Sequence, residues 1–294
     1  MTYEIHKVGT VFGGEAFLLV NEHGTALIDS GFAFAAKGLV KNIEAILGDR
    51  PLDYILLTHS HYDHVSGAQA CRMRWKDAKI VSAKHAAEVF AKPSVIKKMM
   101  NLNRSAARSS HHFPLFRNNI KGLSTDIVVS EGDVIEVGDM KFRVMETPGH
   151  TWDTIAFWCE EEKFLISNET PGVAVSLDEV MPACLVSFKK ALESVERLKE
   201  LKPKAVLLPH YDVIEGEDVC TGYLEAAYRG HIKYRDMILE AYDKGMNEKE
   251  LLKYSKDTLW VGPIREGQPE DAFDLNNKYM VPTVIREFRG KQDS

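Results

Sequence analysis

Short apolar runs separated by turn residues dominate the first sixty residues of the chain. They predict strands at residues 3–8, 16–20, 25–28 and 54–57. Apolar residues at helical spacing predict a helix over residues 33–47, which Gly48 and Pro51 end. The order strand, helix, strand predicts a crossover connection in a mixed sheet.

The middle of the chain repeats this pattern. Two helices are predicted at residues 67–75 and 83–90, on either side of a strand at 79–81. Further strands are predicted at residues 127–129, 134–137, 141–146, 154–158, 163–166 and 205–208. An amphipathic helix begins after Ser187 and runs to Leu201, and helices alone are predicted beyond residue 216, at 219–243, 247–254 and 276–289. The pattern therefore indicates an α/β protein made of two strand-rich halves and a helical tail.

Charge is distributed unevenly along this pattern. Residues 89–125 contain no Asp or Glu, in a chain whose net charge is −6. Apolar residues at helical spacing predict a basic amphipathic helix in the first half of this segment. Two interpretations stay open: a solvated helix face, or a rim that attracts an anionic substrate through Lys97, Lys98, Arg104, Arg108, His111 and His112.

Composition limits the classes of function. A chain of 294 residues can bury a sizeable core, and it shows neither a leader sequence nor an apolar stretch of membrane-spanning length. We therefore expect a cytoplasmic protein with no membrane partner. The four cysteines are widely separated and form no CxxC pair, which predicts reduced thiols. The acidic net charge argues against general nucleic-acid binding.

Candidate chemistry is concentrated in the loop after the strand at residues 54–57. This loop places His59, His61, Asp63 and His64 within six residues. Imidazole nitrogens and carboxylate oxygens are preferred ligands of zinc and its first-row neighbours. His59 and His61 can converge on one ion, while Asp63 and His64 serve a second. The alternative is a polar surface loop that is rich in histidine.

Three later strands also end in ligand-type residues. These residues are His150 in a Thr-Pro-Gly-His-Thr segment, Glu169 in Ser-Asn-Glu, and His210 after Pro209. Together with residues 59–64 they form a constellation typical of a single site. Asp29 ends an earlier strand, where it either orients a ligand histidine or forms a turn.

The His-x-His-x-Asp-His motif at 59–64, the Pro-Gly-His-Thr element and the last histidine resemble the metallo-β-lactamase superfamily over about residues 1–215. The resemblance implies a four-layer αββα sandwich with a metal site at one edge where the two sheets meet. Residues 216–294 resemble the helical cap of superfamily thioesterases such as glyoxalase II. The alternative is a helical addition that packs for stability or for homodimerisation.

The resemblance also implies two divalent ions per chain, with zinc expected and iron or manganese as alternatives. It assigns His59, His61 and His150 to one ion, and Asp63, His64 and His210 to the other. Glu169 stands where the family usually has a bridging Asp in a Ser-Gly-Asp turn. We expect this longer carboxylate to bridge the ions.

These features predict a hydrolase that uses a metal-bound hydroxide on a small ester or thioester, including acyl-CoA-like substrates. Asp63 is the expected catalytic residue, because it would bind metal and orient the hydroxide. The alternatives are a phosphodiesterase, a mononuclear iron protein with oxygen or sulfur chemistry, and a regulatory protein that retains metal. For the hydrolase we expect a small-molecule substrate as the partner.

Overall fold

The computed structural model describes residues 2–110, 120–268 and 270–290. The first half contributes one six-stranded sheet, in which the strands lie in chain order. β1 to β3 are antiparallel, and β3 to β6 are parallel. The strands are β1 (Tyr3–Lys7), β2 (Phe17–Asn21), β3 (Thr25–Ile28), β4 (Tyr54–Leu56), β5 (Lys79–Ala83) and β6 (Ile127–Val129).

The second half contributes a sheet of the same size. The later strands are β7 (Val134–Val137), β8 (Met140–Glu146), β9 (Ile155–Cys159), β10 (Phe164–Ile166), β11 (Val173–Ala174), β12 (Val180–Met181), β13 (Ala205–Leu207) and β14 (Val213–Glu215). The second sheet has the order β14-β13-β10-β9-β8-β7, while β11 and β12 form a small hairpin of their own. β10 and β13 are parallel, and the other pairs in this sheet are antiparallel.

Helices cover the outer faces of both sheets. The helices in the described part of the chain are α1 (Ala36–Leu47), α2 (Tyr62–Val65), α3 (Ala68–Arg74), α4 (Lys84–Phe90), α5 (Pro93–Ser109), α6 (Phe188–Glu200), α7 (Glu217–Asp243), α8 (Glu248–Leu259), α9 (Gly262–Gly267) and α10 (Glu270–Arg289). Ser187 caps α6 by accepting from the Lys190 N–H, and Asn247 and Glu250 form a capping box at α8. None of these helices is long and apolar enough to cross a membrane.

The side chains of the central strands alternate between two cores. In β2, Phe17 and Leu19 lie between the sheets, while Leu18 packs beneath the helices on the outer face. In β9, Phe157 lies between the sheets and Trp158 packs against the layer of α6 and α7. This period of two, with both faces buried, produces helix, sheet, sheet and helix layers. The predicted αββα sandwich with C-terminal helices is confirmed.

Several predicted element boundaries were wrong. The helix predicted at 276–289 begins at Glu270, and the one predicted at 247–254 continues to Leu259. The strands β11, β12 and β14 and the short helices α2 and α9 were not predicted, because two to six residues carry too little periodicity. The four cysteines are free thiols, and all of them are buried.

Candidate metal centre

The ligand-type residues come together at one edge of the sandwich, where strands of both sheets end. Loops after β3, β4, β8, β10 and β13 carry Asp29, residues 59–64, His150, Glu169 and His210. A main-chain hydrogen bond from Ile155 to Thr58 (2.9 Å) joins the two halves at this edge. The edge is therefore built by the rigid ends of strands rather than by long loops.

Close packing of glycines fixes the two histidine loops. A Cβ at Gly67, just after α2, would lie 2.1 Å from the carbonyl oxygen of Ser30, and Ser30 itself binds the His64 carbonyl through its N–H (2.6 Å). A Cβ at Gly149 would lie 2.7 Å from the Cα of Ala191 in α6. Larger residues at these two positions would displace His64 and His150 from the edge.

Two groups of side chains converge at this edge, and their donor atoms lie within 4.8 Å of one another in each. The first ligand group consists of His59, His61, His150 and Glu169. The Nδ1 of His61 lies 2.8 Å from the Nε2 of His150, which in turn lies 3.0 Å from the Oε2 of Glu169. The Nε2 of His59 is buried and has no hydrogen-bond partner among the described residues.

The second ligand group consists of Asp63, His64, Glu169 and His210. The Oε1 of Glu169 lies 2.7 Å from the Nε2 of His64 and 2.5 Å from the Nε2 of His210. The Oδ2 of Asp63 lies 3.8 Å from the Nε2 of His64. Glu169 thus presents one oxygen to each group, as a bridging carboxylate would.

The donor atoms of both groups fit divalent metal ions. Imidazole nitrogens that face each other at hydrogen-bond distance repel when both carry lone pairs, and an unpartnered buried nitrogen such as that of His59 is costly. A cation between these atoms removes both costs, and a set of imidazoles and carboxylates suits zinc or iron. The cluster is therefore able to hold metal ions.

The other ring nitrogen of four of these histidines also has a partner. In the second group the partners are buried carboxylates: Asp29 Oδ2 lies 2.8 Å from the Nδ1 of His64, and Glu15 Oε2 lies 3.1 Å from the Nδ1 of His210. Asp29 also accepts from the Thr58 N–H and hydroxyl, at 2.9 and 2.8 Å. Asp29 therefore contacts His64, and its role in orienting this histidine for a metal ion stays a prediction.

In the first group the partners are neutral oxygens. The Nδ1 of His150 lies 2.5 Å from the Ala183 carbonyl, and the Nδ1 of His59 lies 3.1 Å from the Thr58 hydroxyl. Sequence reasoning missed both Ala183 and Glu15. The Ala183 partner is a main-chain atom, which leaves no signal in the sequence. Glu15 left a weak signal, since it is an acidic residue between the Gly13-Gly14 turn and the apolar run that begins at Ala16.

Without bound metal ions, the pKa values of the histidines shift in opposite directions in the two ligand groups. Burial and the neighbouring charge of His150 lower the pKa of His61 to about 3. Burial likewise lowers the pKa of His210, but the charge of Glu169 and the hydrogen bond to Glu15 outweigh it and raise this pKa to about 10. For Glu169, burial raises the pKa, but His150 and His210 hold it well below its usual range. An ion entering the second group must therefore displace a proton from His210.

The pKa of the predicted catalytic carboxyl, Asp63, is also perturbed. Burial raises it, and the charge of Glu169 adds to this effect while His64 opposes it. For His64, burial lowers the pKa, but the charges of Asp29 and Asp63 raise it well above its usual value. Asp63 is the more accessible of the two, with 22% of its side chain exposed. It can therefore face a ligand that enters the centre.

The basic helix lies beside the centre. In α5 the buried Asn103 accepts from the Ala33 N–H (2.8 Å) and donates to the Ser66 hydroxyl (2.8 Å), which ties this helix to the loops around α2. Lys98 is exposed, and its charge adds a small effect to the lowered pKa of His61. Lys97, Arg104 and Arg108 are exposed on the same helix, whereas His111 and His112 lie outside the described residues.

The C-terminal helices contact the loops of the centre from behind. Tyr223 of α7 donates to the Gly172 carbonyl (3.4 Å), in the turn that follows Glu169. Thr283 of α10 donates to the Leu185 carbonyl (3.4 Å), close to Ala183. The charge of Asp271, in the first turn of α10, adds to burial and to the charge of Asp63 in raising the pKa of Tyr62 in α2. The tail is thus part of the packing that shapes the site.

Comparisons with known proteins agree with this geometry. The chain is 27% identical over 164 residues to a hydroxyacylglutathione hydrolase from Bradyrhizobium sp. (strain ORS 278), a match that covers 56% of this chain and 51% of that protein. It therefore spans only about half the length of this relative. It is 26% identical over 219 residues to a metallo-beta-lactamase fold-containing protein of Sulfurisphaera tokodaii, covering 70% and 74% of the two chains.

Solved structures extend the likeness to almost the whole chain. A metallo-beta-lactamase family protein from Thermus thermophilus matches with a TM-score of 0.69 at 19% identity, covering 97% of this chain and 93% of that one. At 19% identity, this match shows that the two proteins share a fold. The model of the metallo-beta-lactamase superfamily matches residues 9–210, which include every residue of both ligand groups. The chain therefore belongs to the metallo-β-lactamase superfamily.

Proposed function

We propose that this protein is a metal-dependent hydrolase of a small thioester or ester, with acyl-CoA-like compounds among the candidate substrates. The observation that carries the proposal is the position of Glu169. Its two oxygens face two separate groups of imidazole nitrogens at 2.5 to 3.0 Å. This arrangement supports two adjacent ions, one in each ligand group. Zinc is the expected metal, with iron or manganese as alternatives.

A pair of divalent ions in such a site would polarise a carbonyl oxygen and acidify a water molecule. Side chains of the protein would orient the water molecule and accept its proton. Asp63 would orient the attacking water through its carboxylate oxygen and hold the proton that this water loses. The rigid strand ends would keep these groups in place as the leaving thiol or alcohol departs.

Two observations support the choice of a thioester. The chain is similar to a hydroxyacylglutathione hydrolase, which acts on an acylated thiol compound, although the match covers about half of that protein. Lys98 is exposed on α5, which Asn103 ties to the loops around α2, and a cation on this helix suits the anionic groups that acyl carriers bear. The same cation favours a phosphodiester as the second candidate substrate.

A substrate panel tests the proposal directly. The purified protein, loaded with zinc and with its metal content measured, is assayed on an acyl-CoA, an acylglutathione, a simple ester, a lactone and a phosphodiester. Hydrolysis of a thioester or ester that a chelator abolishes and zinc restores is the expected result. A protein that carries two ions per chain and cleaves only the phosphodiester would move the assignment to the second candidate. A loaded protein that cleaves none of them would refute the proposal.

A further inference from the structure

A buried carboxylate from the first hairpin contacts the last histidine of the centre. Glu15 lies in the loop between β1 and β2, with 4% of its side chain exposed, and its Oε2 is 3.1 Å from the Nδ1 of His210. The two residues are 195 positions apart and belong to opposite halves of the sandwich. The contact is therefore a tertiary bond between the halves, made at the metal centre itself.

A lysine strengthens this connection. Lys7, at the end of β1, donates to the Tyr211 carbonyl (2.7 Å), and its ammonium lies 3.8 Å from the Oε1 of Glu15. His210 is thus held through its ring by Glu15, and through its neighbour in sequence by Lys7. Its backbone needs such support, because His210 has φ = 59°, a left-handed conformation that residues other than glycine rarely adopt.

The chemistry of this bond differs from that in the first ligand group. When a histidine donates its Nδ1–H to a carboxylate, the lone pair is fixed on Nε2, and the ring becomes a stronger donor to a metal ion. Both histidines of the second group have this arrangement, His64 with Asp29 and His210 with Glu15. The neutral oxygens behind His59 and His150 fix the ring without adding charge.

We propose that Glu15 is a positioning residue for the second ion. It keeps a proton on the Nδ1 of His210, so that the Nε2 beside Glu169 is the nitrogen left to bind this ion, and it adds negative charge to the group that must retain the ion. The inference rests on the proposed function in one respect, that two ions bind. It does not depend on which substrate is cleaved.

Metal counts on matched variants test this role. Glu15→Gln keeps the shape of the side chain and removes its charge, and Glu15→Ala removes the hydrogen bond as well. Asp139→Asn is the control, because Asp139 forms the same kind of bond with the Nδ1 of His23 (2.8 Å) on the surface. Competition with a zinc chelator should show a second ion bound about 10- to 100-fold more weakly in both Glu15 variants. The first ion should keep its affinity, and Asp139→Asn should match the wild type.

A spectroscopic measurement separates positioning from general damage. Side-chain nitrogen NMR of the zinc-loaded protein should show His210 protonated at Nδ1 in the wild type, with this signal shifted or lost in Glu15→Ala. Thermal unfolding checks that each variant is folded. If Glu15→Ala does not fold, the metal affinity of Glu15→Gln alone provides the test. Wild-type affinity for the second ion in both variants would overturn the inference, as would a wild-type protein that binds a single ion. Two bound ions without hydrolysis of any substrate would refute the proposed function alone.

Discussion

The two ligand groups share Glu169 but differ in how their histidines are supported. The first group uses three imidazoles, of which His59 and His150 are backed by neutral oxygens, and burial keeps His61 uncharged. The second group has two imidazoles backed by buried carboxylates, and His210 holds a proton until a stronger cation displaces it. One half of the centre is therefore prepared for an ion by desolvation, and the other by negative charge. The following four predictions test this difference.

The largest effect is expected from His61→Ala. This change removes a nitrogen donor of the first group, so metal content should fall. Hydrolysis should drop by about 100- to 1000-fold, which is the usual cost of losing a single preorganised electrostatic group. Elemental analysis and the rate of thioester cleavage measure the two effects. The control is His85→Ala, which removes an exposed histidine outside the centre. Full metal content with full activity in His61→Ala would contradict the assignment of the first group.

Glu169 tests the link between the groups. Glu169→Gln should release the ion of the second group first, lowering the count by about one ion per chain, because a neutral amide binds a hard dication much more weakly than a carboxylate does. Glu169→Asp should retain both ions, with a changed metal preference. Metal analysis of the wild type and both variants tests whether Glu169 bridges the two ions. Equal stoichiometry in all three proteins would mean that another residue bridges the ions.

The protonated His210 predicts a pH dependence of the metal-free protein. Its pKa rises from a usual 6.5 to about 10 in the folded state, so the charged pair with Glu169 stabilises the fold fully below about pH 6.5. This contribution is lost as the pH rises to about 10. Compared with His210→Gln, the wild type should lose on the order of 5 kcal/mol of its advantage in unfolding free energy over this range. Denaturant unfolding in the presence of a chelator measures the difference, and a constant difference would show that His210 is neutral throughout.

The smallest effect is expected at the rim. If Lys98 attracts an anionic substrate, Lys98→Gln should raise KM about two- to fivefold and weaken its dependence on salt, with kcat little changed. Lys92→Gln is the control, because Lys92 is an exposed lysine that precedes the same helix. Identical salt dependence in the wild type and both variants would mean that Lys98 does not attract the substrate. Lys97, Arg104 and Arg108 can then be tested in the same assay.

The sequence identified the side chains of the centre better than their surroundings. The motif at 59–64 is contiguous and follows an apolar strand, and the same reasoning at strand ends led to His150, Glu169 and His210. Glu15 was missed because its partner lies 195 residues away, and no local pattern encodes such a pairing. The Ala183 carbonyl was missed because main-chain atoms are the same at every residue.

Helix boundaries failed for a related reason. Residues 270–275 of α10 mix acidic and apolar residues after Pro269, so the periodicity that indicates a helix is weak there. Their helical conformation follows from tertiary packing, since Phe273 is buried and Asp274 pairs with Lys256 of α8. Local propensity was enough to predict the elements that pack within one half of the sandwich. It was less reliable for the C-terminal helices, whose conformation depends on packing against the rest of the molecule.

The contacts of α10 also bear on the order in which the molecule is completed during synthesis. The segment after Ala183 is held by Thr283, Arg286 and Glu287, which follow their partners by 98 to 100 residues. The carbonyl of Ala183 supports His150, and α10 holds the segment that follows Ala183. At a translation rate of about 5–20 residues per second, roughly 5–20 s pass between the synthesis of this segment and that of α10. Throughout this interval the motif at 59–64 is already outside the ribosome. A nascent chain thus displays its histidines well before α10 can secure the segment behind His150, so we expect metal to be held firmly only after α10 has packed.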